Sequence, residues 1–417
     1  MPLGIYISVP FCRTKCSYCN FASDVFSRVV FERYVDRVCA DIPNAPGIAA
    51  EMGGRIEREV DSIYLGGGTP TVLEAGQLQR IFAAVGGQFN VRADAEITVE
   101  CAPGTLSSNV IEGLLASGVN RVSLGVQSFV DAEAAAVGRL HKRSTVLDDI
   151  ARLRAAGIAN INVDLIAGLP HQTAESWLQS LTDTIATAVP HVSVYMLEVD
   201  EDSRLGRELI AGGTRYHAHF VPDEDATADF YVAACEQLES AGIAQYEISN
   251  FARAGFESRH NLKYWTRQPY LGFGVDAHSM LEASWEGHDL SRADGAKNKE
   301  QGFSLCGSGN AVRFATADAL EKYVAGSPLK QTAVSPAAVL EETFFLGLRL
   351  NRGVDLRTIA ASFGQQAIEN LHPVIAELVA DDLLQQSGDC LRLTSRGRLL
   401  SNEVFQAFLA PGLSTQA

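Results

Sequence analysis

The sequence has no long apolar run, and positive charge is scarce. It contains no uninterrupted apolar stretch of about 18 residues, the length that a transmembrane helix needs. No basic residue precedes Arg13, so the basic start of a signal peptide is missing as well. These absences predict a protein that stays in the cytoplasm.

Lysine and arginine total 34 against 50 aspartates and glutamates, which gives a formal net charge of -16. A surface this acidic repels phosphate backbones, and no long basic run interrupts it. General nucleic-acid binding is therefore not expected. With 417 residues the chain can bury a sizeable core, and we expect two domains.

Cysteine is sparse over most of the chain but concentrated near its start. Cys12, Cys16 and Cys19 fall within eight residues. The scattered cysteines are Cys39, Cys101, Cys235, Cys306 and Cys390. Thiols persist in a reducing compartment, where disulfides are rare. The clustered three therefore need a chemical explanation, and the others mostly do not.

Apolar runs alternate with helical patterns through the first two thirds of the chain. The predicted strands are Gly4–Ser8, Ser62–Leu65, Ala95–Glu100, Arg121–Leu124, Asn160–Asp164 and Val192–Met196. The predicted helices are Phe31–Ala40, Ala75–Ala84, Val110–Ala116, Thr145–Ala156 and Ala174–Ala188. This alternation predicts an α/β fold with a parallel sheet, either doubly wound or an incomplete (β/α)6 TIM-like barrel.

Polar residues near the ends of three predicted strands favour the barrel. They are Glu100, Gln127 and Asp164. Parallel α/β proteins bind their ligands at the carboxyl ends of strands, so these side chains are expected to point to one place. We therefore predict that a barrel forms a core domain over residues 1–286.

Beyond the barrel the periodicity changes. Residues 287–334 are predicted to be an irregular excursion or linker, because glycine, serine and asparagine interrupt the pattern from about Gly287 to Ala311. Residues 335–417 contain helical patterns at Ala338–Leu350 and Glu369–Asp381, then a hairpin over 384–394. These elements predict a small winged-helix-like domain. In so acidic a chain, a cap or docking surface is favoured over DNA binding.

Cys12, Cys16 and Cys19 have the spacing C-x3-C-x2-C and follow the first predicted strand. Three thiolates on one loop can bind three irons of a cubane cluster and leave the fourth iron open. A structural zinc site needs four ligands, and a ferredoxin cluster needs a fourth cysteine; neither is spaced nearby. Three bystander thiols are the remaining alternative.

Leu65-Gly66-Gly67-Gly68-Thr69-Pro70 ends the second predicted strand. Glycines let the backbone approach a ligand closely with its N–H and C=O groups exposed. A plain tight turn uses the same residues. The position directly after a strand is what favours a ligand site.

Together these motifs resemble the radical SAM superfamily, from about Leu3 to Leu409. The branch that they resemble contains oxygen-independent coproporphyrinogen III oxidases and HemW-type heme chaperones. Further blocks that carry the resemblance are Tyr246–Phe251, His260–Trp265 and Arg396–Phe405. The resemblance implies a 4Fe–4S cluster on the three cysteines, with S-adenosylmethionine filling the open iron position. An electron from the cluster would then cleave the sulfonium bond.

The resemblance also implies which residues contact S-adenosylmethionine. Arg139 suits the methionine carboxylate, Glu100 and Asp164 suit the amino group or ribose hydroxyls, and Gln127 can both donate and accept. The other expected contacts are Tyr6, Tyr18, Gly67, Gly68 and Thr69. The alternative is that these are ordinary hydrogen-bonded polar groups at the barrel ends.

Two features distinguish the oxidases from the chaperones. The oxidases carry a further cysteine two residues after the third, where this sequence has Phe21, and an N-terminal extension, where it has eleven residues before Cys12. Both features match the chaperones. The expected function is therefore a heme chaperone without porphyrinogen oxidase activity, and the alternatives are a coproporphyrinogen III oxidase or a radical SAM enzyme with an unrelated substrate. The resemblance implies that the partners are apo-hemoproteins, including membrane-bound respiratory enzymes, and a second copy in a homodimer.

The resemblance implies that heme binds near His260, and a neutral imidazole is a good axial ligand for heme iron. Tyr264 and Trp265 would supply apolar faces for the porphyrin. The alternative is that His260, Asn261 and Trp265 form a hydrogen-bonded layer that fixes a loop against the barrel. Two weaker ligand candidates are Cys306 and His278.

Overall fold

The computed structural model describes residues 1–284 and 311–409, within which 13 strands form one large sheet. In chain order they are β1 (Leu3–Val9), β2 (Gly54–Arg55), β3 (Glu59–Gly67), β4 (Asn90–Cys101), β5 (Arg121–Gln127), β6 (Asn160–Ala167), β7 (His191–Met196), β8 (Ala244–Glu247), β9 (Asn250–Ala252), β10 (Tyr270–Gly274), β11 (His278–Ala283), β12 (Ala311–Ala315) and β13 (Lys330–Ala333). A second sheet contains β14 (Val354–Asp355), β15 (Leu384–Ser387) and β16 (Cys390–Leu393).

Helices surround both sheets. They are α1 (Val29–Asp41), α2 (Ala45–Glu51), α3 (Ala75–Gln88), α4 (Ser108–Ala116), α5 (Asp131–Ala136), α6 (Arg143–Ala155), α7 (Ala174–Ala186), α8 (Arg204–Ala211), α9 (Glu224–Ser240), α10 (Arg259–Trp265), α11 (Leu320–Val324), α12 (Pro336–Gly347), α13 (Leu356–Phe363), α14 (Gln365–Ala380), α15 (Ser395–Leu399) and α16 (Ser401–Ala407). Within the described ranges, no helix has both the length and the hydropathy that crossing a membrane requires.

Six parallel strands form the middle of the large sheet. They lie in the order β1-β3-β4-β5-β6-β7, each paired in parallel with the next. The order runs in one direction, whereas a doubly wound sheet reverses at a switch point. The six predicted strands, their crossover helices and the incomplete (β/α)6 barrel are therefore confirmed.

Burial and capping explain why these segments form these elements. The strand Leu3–Val9 is buried at nearly every position, as is typical of a parallel strand covered on both faces. The Ser107 hydroxyl accepts from the Val110 N–H at the start of α4, and Thr173 and Ser176 cap α7 reciprocally. Each such cap stabilises its helix by about 1 kcal/mol.

The parallel strands are extended on both sides. β10 pairs in parallel with β1 and is followed by antiparallel β11, β12 and β13. On the other side β9 pairs antiparallel with β7. Residues 311–333 thus contain two strands and a helix, not the irregular structure predicted across 287–334. Strands this short at a sheet edge give little periodic signal. The earlier part of that predicted stretch lies outside the described residues.

The C-terminal helices enclose a core of their own around Phe344, Ile359 and Leu391. β14 and β15 flank β16 in the small sheet, and the β15–β16 hairpin falls where the sequence predicts it. Helices followed by a hairpin are the elements expected of the winged-helix-like domain.

A buried carboxylate joins the two parts of the molecule. Glu342 of α12 accepts a hydrogen bond from Arg267 Nε at 3.0 Å and pairs with Arg313 Nη1 of β12 at 2.9 Å. The Ile248 N–H also donates to the Arg349 carbonyl at 3.1 Å. The C-terminal helices are therefore fixed against the barrel through α10, β12 and the turn between β8 and β9.

Candidate functional site

The cysteine loop begins directly after β1 and is held from two sides. The Cys12 N–H donates to the Asp24 carbonyl at 3.0 Å, which closes the loop on itself. The Ser17 N–H donates to the carbonyl of Val137, after α5, at 3.1 Å. The Leu205 N–H of α8 donates to the Ser17 carbonyl at 2.8 Å. The loop therefore lies at the carboxyl ends of the parallel strands, where such barrels bind their ligands.

The three thiols of this loop are free, with Cys16 buried and Cys12 and Cys19 half-buried. The Thr69 hydroxyl lies 3.9 Å from the Cys12 sulfur, and Arg139 Nη1 lies 3.7 Å from the Cys16 sulfur. Burial raises the pKa of the Cys12 thiol, and bound iron would supply the charge that keeps such a thiol deprotonated. In the described part of the chain, no three histidine, cysteine or acidic side chains converge on a single metal ion. A cubane takes one thiolate for each of three irons, which these residues fit.

The glycine turn at the end of β3 depends on the absence of side chains. A Cβ on Gly66 would lie 2.8 Å from the Glu100 carboxyl group, and one on Gly68 would lie 2.7 Å from the Phe11 carbonyl oxygen. Gly67 has a φ of 96°, which favours glycine, and its N–H donates to Glu100 Oε2 at 3.1 Å. The turn therefore packs against both the cysteine loop and Glu100.

Two acidic side chains lie next to this turn. The Tyr64 hydroxyl donates to Glu100 Oε1 at 2.8 Å. Burial and then the charge of Asp164 raise the pKa of Glu100 to about 7. Asp164 accepts from the Ser123 hydroxyl at 3.1 Å and from Asn162 Nδ2 at 2.7 Å, and burial raises its pKa as well. Such carboxyl groups suit a ligand that carries an amino group or hydroxyls.

Gln127 and Arg139 have polar groups that suit the binding of a ligand. Gln127 ends β5 with a φ of 69°, and its buried Oε1 has no hydrogen-bond partner among residues 1–284 and 311–409. Arg139 donates to the Gly125 carbonyl, and across the same ranges it is in no ion pair. Burial and then the charge of Cys16 raise the pKa of the Tyr18 phenol, and the charge of Arg139 acts to lower it. A ligand with a donor and a carboxylate would fit these groups.

Tyr6 lies one layer deeper in the barrel than the cysteine loop. Its ring centroid is 6.2 Å from that of Tyr64 and 6.4 Å from that of His260. Its hydroxyl would be 3.5 Å from a Cβ on Gly67. Burial and then Glu100 raise the pKa of Tyr6. The structure thus brings all the predicted S-adenosylmethionine residues to one end of the barrel, with Tyr6 beneath the others.

Sequence reasoning missed Arg121. This residue starts β5, is only 2% exposed, and its Nε has no hydrogen-bond partner within the described ranges. Its charge lowers the pKa of Glu100 and Asp164, against the effect of burial. A guanidinium inside the barrel therefore offsets part of the acidic charge at the site. The available signal was an arginine at the start of an otherwise apolar strand.

His260 lies at the opposite end of the strands from the cysteine loop. Its Nδ1 is 3.0 Å from the Ser62 hydroxyl, and its Nε2 is 2.9 Å from the Tyr264 hydroxyl. Burial, followed by Lys263 and Arg121, lowers the pKa of His260 to about 3. Both ring nitrogens are occupied and the residue is 1% exposed, so an iron has no free nitrogen to bind in this conformation. The geometry favours the alternative, a hydrogen-bonded layer that closes the barrel.

The remaining heme candidates are Trp265, His278 and Cys306. The guanidinium carbon of Arg349 lies 4.3 Å from the centroid of the Trp265 ring and covers one of its faces. His278 is exposed, with its Nε2 3.8 Å from Asp276 Oδ1. Cys306 lies outside the described residues. Among the described candidates, Tyr264 thus contacts His260, whereas Trp265 has one ring face covered and His278 lies beside Asp276.

With this geometry in view, the relatives of the chain can be compared. A model of the Radical SAM superfamily matches residues 6–183, and one of the HemN C-terminal domain matches residues 334–400. Coproporphyrinogen III oxidase HemN from Escherichia coli, a radical SAM enzyme, superposes with a TM-score of 0.77, covering 98% of this chain and 90% of that chain. At 23% identity this likeness shows the fold alone. The barrel and its cysteine loop define a radical SAM protein.

Curated relatives identify the branch. The heme chaperone HemW of Bacillus subtilis is 34% identical over 412 residues, which is 97% of this chain and 98% of that protein. HemW of Lactococcus lactis is 32% identical over 413 residues, and HemW of Escherichia coli is 29% identical over 411 residues. Each comparison covers 98% of this chain, with 97% and 98% of those proteins. The chain belongs to the HemW family of the radical SAM superfamily.

The first prediction concerns the cluster cysteines. Replacing Cys16 with alanine removes one of three iron ligands, so reconstituted protein should lose most of its bound iron and its visible absorption. Cys39→Ala on α1 changes a half-buried thiol outside the loop and should retain about four irons per chain. Iron analysis after anaerobic reconstitution makes the comparison. Equal iron in both variants would rule out the loop as the cluster site.

The second prediction concerns the glycine turn. A Cβ on Gly66 would lie 2.8 Å from Glu100, and overpacking of this kind costs about 1–3 kcal/mol. Gly66→Ala should therefore weaken S-adenosylmethionine binding roughly tenfold, as measured by calorimetry. Gly86→Ala on α3 is the matched control, since nothing lies within 4 Å of a Cβ there. Unchanged affinity of Gly66→Ala for S-adenosylmethionine would show that Glu100 does not contribute to binding this ligand.

The third prediction concerns pH. Folding raises the pKa of Glu100 from 4.5 to about 7, so its protonated form stabilises the fold. That contribution is complete below pH 4.5 and is lost as the pH rises through about 7. Glu100→Gln should remove this loss, so that its urea midpoint rises relative to wild type from pH 5 to pH 8. Glu112→Gln, at an exposed position on α4, should follow wild type; parallel curves for all three would contradict the raised pKa.

Proposed function

We propose that this protein is a heme chaperone, which binds heme and passes it to apo-hemoproteins. The observation that carries the proposal is the likeness to named heme chaperones over 97% of the chain or more. That likeness includes both the cysteine loop and the C-terminal helices. The proposal assigns heme the role of cargo.

The resident groups in this proposal are a 4Fe–4S cluster and S-adenosylmethionine. When bound, they supply a source of single electrons and a cleavable sulfonium group. Cys12, Cys16 and Cys19 would hold the cluster, because their loop is pinned at the mouth of the barrel. The Arg139 guanidinium would bind the cluster-proximal carboxylate of the methionine group, since it already faces the Cys16 sulfur at 3.7 Å.

The other S-adenosylmethionine contacts follow from the same pocket. Glu100 and Asp164 would accept hydrogen bonds from the amino group and ribose hydroxyls, and the unpaired Gln127 Oε1 would accept one more. The remaining contacts assigned to this pocket are Tyr6, Tyr18, Gly67, Gly68 and Thr69. These residues bind and orient the ligand.

A second candidate is the oxygen-independent oxidase, which the HemN-like fold supports. The side chain at the position that distinguishes the two is Phe21, two residues after Cys19 and 66% exposed. A phenyl ring neither binds iron nor carries a proton, so it supports the chaperone. A catalyst must consume S-adenosylmethionine with substrate present, whereas a chaperone needs only to bind it.

The proposal extends to partners, location and domains. We place the protein in the cytoplasm as a homodimer. It would pass heme to apo-hemoproteins, including membrane-bound respiratory enzymes. The net charge of -16 argues against nucleic acid as a partner. A radical SAM core over 1–286 and a C-terminal domain over 335–417 remain the proposed division, with the C-terminal domain as a cap or docking surface.

The fourth prediction tests this function. Anaerobically reconstituted protein should bind one heme per chain and transfer it to apomyoglobin, as followed by absorption spectra. With reduced cluster and coproporphyrinogen III it should form no 5′-deoxyadenosine above the substrate-free rate. Porphyrinogen decarboxylation coupled to 5′-deoxyadenosine would instead make the protein an oxidase. A chain that takes up no heme would refute the chaperone proposal.

A further inference from the structure

A second group of ligand-type side chains lies beside the cysteine loop, on helix α8, residues 212–220 and the adjoining His171. This surface, the α8 surface, follows the carboxyl end of β7 and therefore faces the same end of the barrel as the cofactor pocket. Arg204 Nη1 donates to the Lys15 carbonyl of the cysteine loop at 3.2 Å. The α8 surface therefore touches the loop that His260 lies far from.

Two histidines meet on this surface although they are 46 positions apart in the chain. His171 Nε2 and His217 Nδ1 are 3.0 Å apart, and both residues have positive φ, 67° and 62°. The backbone N–H of His171 also donates to the Phe220 carbonyl at 2.9 Å, and the rings of His171 and Phe220 stack with their centroids 4.2 Å apart. Non-glycine residues in this backbone region are uncommon, and two that meet mark a built arrangement.

Glu208 of α8 fixes the loop that carries His217. Its Oε2 accepts from the Tyr216 N–H at 2.8 Å, and its Oε1 accepts from the Ala218 N–H at 3.1 Å. The glutamate is buried, and its two oxygens hold the residues on either side of the histidine. His217 is therefore presented from an anchored loop.

The pairing of the histidines decides which nitrogen is available. If His217 Nδ1 carries the proton that it shares with His171 Nε2, then His217 Nε2 is left as a lone-pair donor. Metal-ligating histidines usually donate their other ring N–H to a second group, which fixes the tautomer and ring orientation. His171 occupies that second position. The pair thus has the arrangement of a metal ligand with its positioning residue.

Positive charge lies beside this pair. Arg204, Arg207 and Arg215 line an open cavity of about 520 Å³ whose lining also includes Glu208 and Tyr216, the residue before His217. Across residues 1–284 and 311–409, none of these three arginines forms an ion pair with a carboxylate. In a chain of net charge -16, three such cations on one surface indicate an anionic ligand.

The apolar side chains are exposed as well. Ile210 is 69% exposed, Phe220 57% and Leu209 49%. Apolar area next to cations and a free imidazole nitrogen matches the chemistry of an iron porphyrin, which is flat and apolar with carboxylates on one edge.

We propose that the α8 surface binds heme, with His217 Nε2 as the axial ligand of the iron. His171 positions the imidazole, Arg207 and Arg215 bind the propionate carboxylates, and Phe220 contacts the porphyrin. The inference rests on the proposed chaperone function and identifies the cargo site within it. It also places the cargo next to the cysteine loop and leaves His260 its structural role.

Heme titration of the full-length, anaerobically reconstituted chain tests this site and is the fifth prediction. His217→Ala should lose the Soret band of histidine-ligated heme and bind at least tenfold more weakly than wild type, because losing the ligand costs at least as much as losing its outer hydrogen-bond partner. His171→Ala should weaken binding about 10–100-fold through misorientation of His217. His372→Ala, which changes an exposed histidine on α14, is the matched control and should bind like wild type. Circular dichroism shows that each variant is folded.

A second ligand tests the arginines without changing the protein. Heme dimethyl ester lacks the propionate charges, so wild type should bind it about fivefold more weakly than heme. The double variant Arg207→Gln, Arg215→Gln should bind both forms equally. An ester that binds wild type as well as heme does would overturn the assignment of the arginines.

The outcomes separate this site from the function itself. If wild type binds no heme, the chaperone proposal fails and the site fails with it. If wild type binds one heme and His217→Ala keeps the same spectrum and affinity, only the α8 site is wrong. Loss of the Soret band in His260→Ala, with His217→Ala unaffected, would show that His260 and not His217 is the axial ligand of the heme iron.

Discussion

The backbone hydrogen bonds between the ends of β1 and β3 position everything else at the candidate site. The Gly68 N–H donates to the Val9 carbonyl at 2.8 Å, and the Thr69 N–H donates to the Phe11 carbonyl at 2.7 Å. These bonds continue the parallel ladder past the last paired residues and into the cysteine loop. They require glycine at the approach, since a Cβ on Gly68 would collide with backbone oxygen. The loop geometry is therefore a property of the sheet and not of the loop sequence alone.

Charge balance is the second constraint on the site. Glu100 and Asp164 lie in a buried pocket where ionisation is unfavourable, and Arg121 offsets this only in part. A ligand that brings a positive group into the pocket would therefore favour their ionised forms. At the mouth of the pocket the balance is reversed, because the Arg139 guanidinium lies beside the Cys16 sulfur. The site therefore has acidic groups deep in the pocket and a cation at its mouth, next to the cysteines.

Much of this was predictable from sequence. The six parallel strands were predictable as short apolar runs, because such strands are covered on both faces, and the helices between them were predictable from their helical period. The cysteine spacing and the glycine turn are local, so they were legible too. The edge strands in 311–333 were not, because four- and five-residue strands carry little pattern. Arg121 and the pair of His171 and His217 depend on tertiary contacts between distant segments, which no local window contains. His260 was noticed as a residue, but its two hydrogen bonds appear only in the fold.

The position of β1 in the sheet has a consequence for the order of synthesis. This strand is synthesised before the other described strands of the sheet, and one of its two neighbours, β10, pairs Tyr270 with Gly4. Until that distant segment emerges, one edge of β1 has unpaired N–H and C=O groups beside the cysteine loop. Exposed edges of this kind template pairing with other chains, and large proteins are vulnerable in such intermediates. The nascent barrel therefore remains open on one side until residues 270–274 have been synthesised, and its first strand is completed by a segment more than 260 positions away.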